Sequence, residues 1–497
     1  MKRQPSESSL LPQFLSRDDT EHELSALDVQ SILLSLRLVD APNSYSDQHA
    51  AQLIRLLLSD ELDLQLYSAL VKRCLCSSGV IRKLFLGALD WSEVELSLLS
   101  DLSNPFVRLL HLYLLRLLNT DLRFEKSCVS IVSTLVALEF RPRYSQLCQS
   151  LFSQFFKSGR LWCVSLEDFV NLRSKYESLL LFDDFYACWS RESCLSWDDA
   201  SSRPRHEITI SKFYSLNPYP LWKQVDALMF KDSICRDRVL SALPGAFNAD
   251  NVESVLVAGC GTGQEAVIYS LLFPGAKVFA VDLSATSLHY AERLAERYRV
   301  CNLNFRRSDL LDLTPEQGSY DLVVSTGVLH HLESPLQGLK VLSGLRTPGG
   351  FLKIGLYSAV ARACIEQARS ILPQCFRGVS WLSNAELVQA RRFLMDSFAC
   401  VPGLSRLLLF EDFFEINAFR DLLFNPCEHA YDPCSIAGML QESGLEFDGF
   451  QFPDVSVLTT YRKLFPHDIA CTDLASWQSF EQLFPSSFMG MYNFWCH

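Results

Sequence analysis

The stretch Val255–Gly263, VLVAGCGTG, decides the fold of this chain. An apolar run with strand character leads directly into three glycines at alternate positions, Gly259, Gly261 and Gly263. A helix-like run, QEAVIY, follows from residue 264. This order predicts a strand, a tight turn and a helix N-terminus, where the backbone can approach a ligand closely because glycine has no Cβ.

A second apolar run, VFAVD, ends in Asp282. In doubly wound α/β folds, a glycine-rich loop and a carboxylate at the end of the next strand together hold a nucleoside, with the carboxylate on the ribose hydroxyls. The dinucleotide fingerprint G-x-G-x-x-G would place its third glycine at position 264, which is Gln264. The third glycine instead comes one residue earlier, so a dinucleotide-dependent oxidoreductase is the weaker alternative.

The spacing Gly-x-Gly-x-Gly resembles motif I of the class I S-adenosylmethionine-dependent methyltransferases. The resemblance continues in order along the chain: Asp282 matches the ribose-binding acid, residues 308–310 the position that contacts the adenine amino group, residues 320–325 the fourth strand, and residues 348–354 the turn and fifth strand. It implies an α/β fold with a Rossmann-like doubly wound sheet and an antiparallel last strand. It also implies S-adenosyl-L-methionine as the cofactor.

The same resemblance implies a set of cofactor-binding residues around the strand ends. They are Gly259, Cys260, Gly261, Thr262, Gly263, Asp282, Leu283, Asp309, Leu310 and Ser325. One position departs from the family, because many members carry an acid two residues before the first glycine, where this chain has Val257. That acid contacts the methionine amino group, and backbone carbonyls of the loop can accept the hydrogen bond instead.

Composition narrows the class of protein. The 497 residues suggest about two to four domains, and a net charge of −12 makes bulk nucleic acid or an anionic membrane an unlikely partner. The 17 cysteines are scattered without zinc-finger spacing, which indicates reduced thiols and no metal site. The N-terminus lacks the apolar core of a secretory signal, and no uncharged apolar run reaches the ~20 residues of a membrane helix. We therefore expect a soluble, cytoplasmic protein without a membrane partner.

Hydrophobic patterning divides the chain into six segments. Leu-rich stripes between residues 23 and 200 predict an all-α domain. This region resembles the TPR-like helical region of one methyltransferase branch only in character, since no clean repeat period is present, and we expect it to bind a protein partner or substrate. The predicted segments are a flexible arm (1–22), the all-α domain (23–200), a linker with a lid helix (201–240), the cofactor-binding core (241–358), a helical cap insertion (359–430) and the C-terminal completion of the sheet (431–497).

The segment KFYSLNPYPLW, residues 212–222, places several aromatic residues just before motif I. Tyr214, Tyr219 and Trp222 can form a lid on the substrate side that covers the cofactor or shapes the acceptor pocket. The alternative is aromatic packing of a preceding helix on the sheet. Asn217 lies in an Asn-Pro-Tyr sequence like that of amino-methyltransferases acting on bases, but its position ahead of motif I argues against that role.

Methyl transfer from a sulfonium is an in-line displacement with a neutral leaving group, so the protein needs a general base only when the acceptor must lose a proton. His330 and His331 follow the fourth strand and are the catalytic candidates, because a neutral imidazole can deprotonate a hydroxyl. Alternatively, one histidine caps the next helix and the other packs against the cofactor. The arginines of the cap, among them Arg362, Arg369 and Arg391, either hold an acidic acceptor or lie on a solvated face.

These patterns predict an S-adenosylmethionine-dependent methyltransferase that acts on an unidentified acceptor by in-line transfer. The alternative is a catalytically weak or inactive interaction protein that keeps the methyltransferase fold and uses its helical domain to bind a partner. Val257 and the large helical half motivate that alternative.

Overall fold

The protein is described by a computed structural model, in which the chain forms two compact units. Unit 1 comprises Met1–Pro204, Ser383–Arg392 and Phe413–Ile416, and unit 2 comprises Arg205–Leu382, Phe393–Asp412 and Asn417–His497. The structure describes residues 24–37, 39, 45–59, 62–138, 142–157, 209–222, 224–240, 247, 249–315, 319–377, 381–452 and 455–497. The predicted arm at residues 1–22 lies outside these ranges.

The N-terminal part of unit 1 is helical, as the Leu-rich stripes predict. Its helices are α1 (Ala26–Arg37), α2 (Asp47–Leu58), α3 (Ser68–Leu75), α4 (Gly79–Phe85), α5 (Glu93–Leu98), α6 (Pro105–Arg116), α7 (Leu122–Ala137) and α8 (Ser145–Lys157). The Asn104 side chain caps α6 by accepting from the amide of Phe106 at 2.9 Å, and Pro105 begins the helix, where its missing N–H costs nothing. Helix α6 packs on α2, α3 and α8, so it is covered on several sides and buries most of its side chains.

One histidine of α6 is part of this core. His111 is fully buried, and its two ring nitrogens lie 2.7 Å from Ser150 Oγ and 3.0 Å from the carbonyl oxygen of Leu99. Burial lowers the pKa of His111 to about 4, so the ring is neutral at physiological pH. His111 therefore serves packing rather than proton transfer.

A buried ion pair joins distant parts of the chain within unit 1. Arg391 Nη1 and Nη2 each lie 2.8 Å from a different carboxylate oxygen of Glu125, and Arg391 Nε donates to the carbonyl of Phe413 at 2.9 Å. The side chains of Arg391 and Glu125 are only 0% and 4% exposed. Arg391 therefore does not lie on a solvated face, and it is already fully engaged by a carboxylate.

Unit 2 contains a seven-stranded sheet in the order β3-β2-β1-β4-β5-β7-β6. The strands are β1 (Ser254–Ala258), β2 (Lys277–Asp282), β3 (Leu303–Arg307), β4 (Tyr320–Thr326), β5 (Arg346–Leu356), β6 (Phe447–Phe450) and β7 (Tyr492–Cys496). Strands β1 to β5 pair in parallel, whereas β7 pairs antiparallel with both β5 and β6. The predicted fold class, a doubly wound sheet with an antiparallel last strand after a helical region, is confirmed.

Helices cover both faces of this sheet. In the part of unit 2 that the structure describes they are α9 (Ile210–Leu216), α10 (Ala227–Lys231), α11 (Ser233–Leu240), α12 (Gln264–Leu272), α13 (Ala285–Tyr298), α14 (Pro335–Gly344), α15 (Ala359–Ile371), α17 (Ile416–Phe424), α18 (Pro433–Glu442), α19 (Val455–Leu464) and α20 (Leu474–Leu483). Between α15 and α17 lies α16 (Asn384–Ser397). Alternate residues of β1 face opposite cores: Val255 and Val257 pack with α12, and Leu256 and Ala258 pack with α14 and α18.

The predicted cap at residues 359–430 does not fall within one unit. Residues 383–392 and 413–416 of this segment belong to unit 1, and its other residues belong to unit 2. The apolar run at residues 488–495 predicts the last strand, but this strand begins only at Tyr492, and Phe488 packs in an aromatic cluster with Phe450 and Trp477. Among the described residues, no helix is both long and apolar enough to cross a membrane.

Candidate functional site

The glycine loop after β1 has a backbone that only glycine adopts without strain. Gly259, Gly261 and Gly263 have φ angles of 71°, 52° and 86°. A Cβ on Gly259 would lie 2.5 Å from both methyl groups of Val328, and a Cβ on Gly263 would lie 2.5 Å from the Cβ of Ala291. The sequence therefore uses glycine both for left-handed backbone and for close approach to β4 and α13.

Asp282 fixes the loop to the end of β2. Its Oδ2 accepts from the amide of Gly261 at 2.8 Å, and its Oδ1 accepts from the amide of Ser284 at 2.8 Å. The first two amides of the loop donate to the carbonyl of Val281. Burial raises the pKa of Asp282, although the amide bonds act in the opposite direction. Hydrogen bonds therefore join Asp282 to the glycine loop, and both lie at one site, as the sequence predicts.

The other predicted cofactor residues lie at the same edge, since the carboxyl ends of parallel strands share one side of the sheet. Asp309 follows β3 and accepts from the amide of Leu311 at 2.9 Å. Ser325 lies near the end of β4 and is buried, with no hydrogen-bond partner for its Oγ among the described residues. Leu310 contributes its side chain to the core instead, and the carbonyl of Leu283 accepts from Arg307 Nε at 3.1 Å.

Trp222 packs against the glycine loop and is hydrogen-bonded to it. Its indole N–H donates to the carbonyl of Thr262 at 2.6 Å, and the Thr262 hydroxyl donates to the carbonyl of Pro220. The indole stacks on Tyr298 of α13, with ring centroids 6.1 Å apart. Trp222 is therefore placed as the packing alternative describes, and Thr262 uses its hydroxyl within the protein.

The position of the missing acid, Val257, is next to an ion pair. Val257 pairs with Val324 of β4, and Val324 pairs with Lys353 of β5, so the three lie in one cross-strand row. Lys353 Nζ lies 2.8 Å from an oxygen of Glu265, which begins α12 directly after the loop. Burial opposes the charge of Lys353, but Glu265 outweighs it and raises the pKa of Lys353 overall. A carboxylate thus remains on this face of the sheet, contributed by Glu265.

Replacing Glu265 by glutamine should lower the free energy of unfolding by about 2 kcal/mol, because the Lys353 ammonium would lose its counter-ion. The estimate is below the full value for a buried pair because the side chains of Lys353 and Glu265 are 13% and 28% exposed. Urea unfolding monitored by circular dichroism measures the change. The exposed Glu292, replaced by glutamine in the same way, is the control and should leave stability unchanged. Equal stability of both variants would contradict the prediction.

Both candidate histidines are buried just after β4. His331 Nδ1 lies 2.8 Å from the carbonyl oxygen of Cys427, whereas neither ring nitrogen of His330 has a hydrogen-bond partner in the part of the chain that the structure describes. His330 stacks on Tyr357, with ring centroids 3.7 Å apart. Burial lowers the pKa of both histidines, so both rings are neutral and can accept a proton or a hydrogen bond.

The two predicted lid tyrosines reach acidic residues about 200 positions away. The Tyr214 hydroxyl donates to Asp421 at 2.9 Å, and the Tyr219 hydroxyl donates to Asp412. Asn425 donates from its amide to the Tyr214 hydroxyl and to Asp421, both at 3.0 Å. Burial raises the pKa of both aspartates. Sequence reasoning missed Asp412 and Asp421, because nothing local marks an isolated acid in a helical segment.

The arginines of the cap are occupied. Arg362 binds Glu428 through two nitrogens, with Nε 2.7 Å from Oε1, and Arg369 Nη2 lies 3.1 Å from Oε2 of the same carboxylate. Burial acts to raise the pKa of Glu428, but the two guanidinium charges outweigh it and lower the pKa overall. Among the cap arginines named from the sequence, these two and Arg391 bind carboxylates of the protein rather than standing free for an acidic acceptor.

The segment that contains the glycine loop is similar to known proteins. Residues 256–352 match a methyltransferase domain. The matched segment runs from β1 into β5 and contains the glycine loop, Asp282, Asp309 and both candidate histidines. The match and the strand order support the class I methyltransferase prediction for this part of the chain. The methyltransferase domain does not include the helical N-terminal region, whose TPR-like character stays a prediction.

Individual relatives match over parts of their length. An uncharacterized protein of Synechococcus sp. is 31% identical over 207 residues, which are 40% of this chain and 49% of that protein. A ubiquinone biosynthesis O-methyltransferase of Acinetobacter baylyi is 33% identical over 99 residues, which are 20% of this chain and 41% of that enzyme. The solved structure of PKMT2 from Rickettsia typhi in complex with AdoHcy is similar with a TM-score of 0.40 and 18% identity, covering 54% of this chain and 53% of that one. The chain spans about half the length of the curated relatives it matches.

Within the described parts of units 1 and 2, no cluster of three or more His, Cys, Asp or Glu side chains is placed to hold a metal ion.

Proposed function

We propose that this protein is a methyltransferase that uses S-adenosyl-L-methionine to methylate an acceptor by in-line displacement. The observation that carries the proposal is the left-handed glycine loop bonded to Asp282 at the carboxyl edge of a methyltransferase domain. The cofactor supplies a methyl group that is already activated, so the protein must position the reactants and exclude water.

The residues at the strand ends fit this cofactor. A carboxylate has about four acceptor sites, so the amide bonds that Asp282 accepts leave room for ribose hydroxyls. The glycine loop approaches neighbouring segments closely at Gly259 and Gly263, where a Cβ would clash, and the buried Ser325 hydroxyl lies near the end of the neighbouring strand without a protein partner among the described residues. We propose that Asp309 contacts the adenine end and that Glu265 supplies the carboxylate that Val257 lacks.

Titration calorimetry with S-adenosylmethionine tests the proposal directly. Replacing Asp282 by alanine should weaken binding at least about 30-fold, because each charge-assisted hydrogen bond is worth about 1.5–3 kcal/mol and the loop also loses its anchor. Asp312→Ala removes an exposed carboxylate of the same domain and should bind like the wild type. Absence of binding by the wild type at millimolar ligand, or unchanged binding by Asp282→Ala, would contradict the proposal.

The interaction-protein alternative has a distinct signature. It rests on Val257 in place of the family acid and predicts weak cofactor binding with a stable protein partner for the helical domain. For either function we propose a protein partner, a cytoplasmic location, and no binding to membranes or bulk nucleic acid. These proposals rest on composition. A pull-down with the full chain, run beside the calorimetry, separates the two functions.

A further inference from the structure

A group of tyrosines and aspartates lies beside the glycine loop in unit 2. This tyrosine–aspartate cluster consists of Tyr214, Tyr219, Tyr357, Asp412 and Asp421. Its link to the loop is direct: the Tyr219 carbonyl oxygen would lie 3.3 Å from a Cβ on Gly261, and Ser284, the residue bonded to Asp282, donates its hydroxyl to the Tyr214 carbonyl at 3.3 Å.

The two carboxylates of the cluster accept hydrogen bonds from neutral groups. Asp412 accepts from Tyr219, and Asp421 accepts from Tyr214 and Asn425. Within the described ranges, no ion pair includes either aspartate, and the nearby Arg362 is bound to Glu428. Two desolvated carboxylates without a counter-ion are costly, and a cation brought between them is favoured.

Polar atoms inside the cluster are free for a ligand. His330 is 0% exposed, both its ring nitrogens lack a partner among the described residues, and its ring stacks on Tyr357. Asp412 and Tyr219 stay partly exposed although the protein desolvates both groups enough to raise their pKa values. Polar atoms of the cluster are therefore available for hydrogen bonds to a ligand.

We propose that the methyl acceptor is an aliphatic amine that enters as its ammonium ion and is held by Asp412 and Asp421 within the tyrosine–aspartate cluster. The inference rests on the proposed methyltransferase function and specifies its substrate class. An ammonium offers three N–H donors, which match the two carboxylates and a neutral ring nitrogen of His330. An acidic acceptor would instead place like charges together, and Arg362 and Arg369 already bind the carboxylate of Glu428.

The reaction needs one proton transfer before the methyl transfer. One N–H proton of the ammonium moves to the carboxylate of Asp412 or Asp421, whose pKa values burial raises toward the range suited to this task. The nitrogen lone pair then forms the C–N bond as the C–S bond breaks, and the electron pair of that bond stays on the sulfur. The positive charge passes from sulfur to nitrogen, and S-adenosylhomocysteine leaves as a neutral thioether.

Chemical blocking of amines tests the inference with the wild-type full chain. Cell extract is incubated with S-adenosylmethionine labelled in its methyl group, either untreated or after acetic anhydride followed by hydroxylamine, which leaves amines acetylated and restores hydroxyls. Label should enter the untreated extract and be lost from the blocked one, in the small-molecule fraction for a free amine or in the protein fraction for a side-chain amine. Label that survives blocking, or that alkali releases as methanol from an ester, overturns the inference.

Variants separate the acceptor site from the cofactor site. Asp412→Asn and Asp421→Asn should each lower kcat/KM by about 100-fold, the usual scale for removing a proton acceptor, and leave the affinity for S-adenosylmethionine unchanged. Asp396→Asn, at an exposed aspartate of unit 2, should change neither quantity. If either cluster variant instead loses affinity for S-adenosylmethionine while circular dichroism shows it folded, its carboxylate holds the cofactor and the inference fails. Wild-type protein that binds the cofactor but labels only non-amines overturns the substrate class alone, whereas failure to bind the cofactor overturns the methyltransferase proposal as well.

Discussion

Replacing Gly259 by alanine should weaken the binding of S-adenosylmethionine by at least about 100-fold, or 2.7 kcal/mol. The new Cβ would lie 2.5 Å from both methyl groups of Val328, a distance that real Cβ atoms do not show. The φ of 71° adds about 1–2 kcal/mol of backbone strain for an L-residue. The loop must therefore move away from the end of β4 or the Val328 segment must shift, and a movement of the loop disturbs the hydrogen bonds that hold it to Val281 and Asp282.

Calorimetry on purified protein measures this effect, with circular dichroism to confirm that the variant is folded. Gly275→Ala is the matched control, because a Cβ there meets nothing within 4 Å and the residue has no positive φ. A second variant, Gly259→Ala with Val328→Ala, removes the clashing methyl groups and should recover part of the affinity. Wild-type affinity in Gly259→Ala would show that the loop is not the binding element.

Replacing Glu125 by glutamine should lower the free energy of unfolding by about 3–5 kcal/mol. The guanidinium of Arg391 is completely buried and binds this carboxylate through two of its nitrogens, so the substitution removes the negative charge that both nitrogens contact. Phe413 and Phe414, whose rings lie 4.9 and 5.5 Å from the guanidinium, cannot replace a full negative charge. Urea unfolding monitored by circular dichroism measures this loss of stability.

The same unit provides a control with the same chemistry at the surface. Glu93 pairs with Arg143, and the two side chains are 41% and 48% exposed, so Glu93→Gln should cost less than about 1 kcal/mol. Replacing Glu125 by leucine and Arg391 by methionine together should restore most of the stability, since both charges are then absent. Similar losses for Glu93→Gln and Glu125→Gln would contradict the argument from burial.

The sheet was predictable because its signals are local. Strands β1, β2 and β4 are short, mostly apolar runs, and the glycines mark a turn that few other residues can make. The same locality made Asp282 predictable, since an acid at the end of a buried strand has few structural reasons to be there. Burial on both faces hides the alternation of polar residues, which explains why exact strand limits, such as the start of β7, were less accurate.

The tyrosine–aspartate cluster could not be predicted in the same way, because its contacts join distant segments. Tyr214 and Tyr219 were identified from their position before motif I, but their partners Asp421 and Asp412 lie in a helical stretch without a motif. Trp222 belongs to the same short segment, but its indole N–H donates to the carbonyl of Thr262 in the glycine loop. Only the three-dimensional arrangement separates the two tyrosines, which bind distant aspartates, from the tryptophan, which binds the glycine loop.

The assignment of residues 383–392 and 413–416 to unit 1 bears on any attempt to dissect the protein. A fragment beginning at residue 205 would keep the complete sheet and the glycine loop, but it would carry Arg391 without Glu125. A fragment ending at residue 204 would keep Glu125 without Arg391. No single cut yields two self-sufficient pieces, so loss of the proposed activity on truncation would report broken folding and would not locate a binding site.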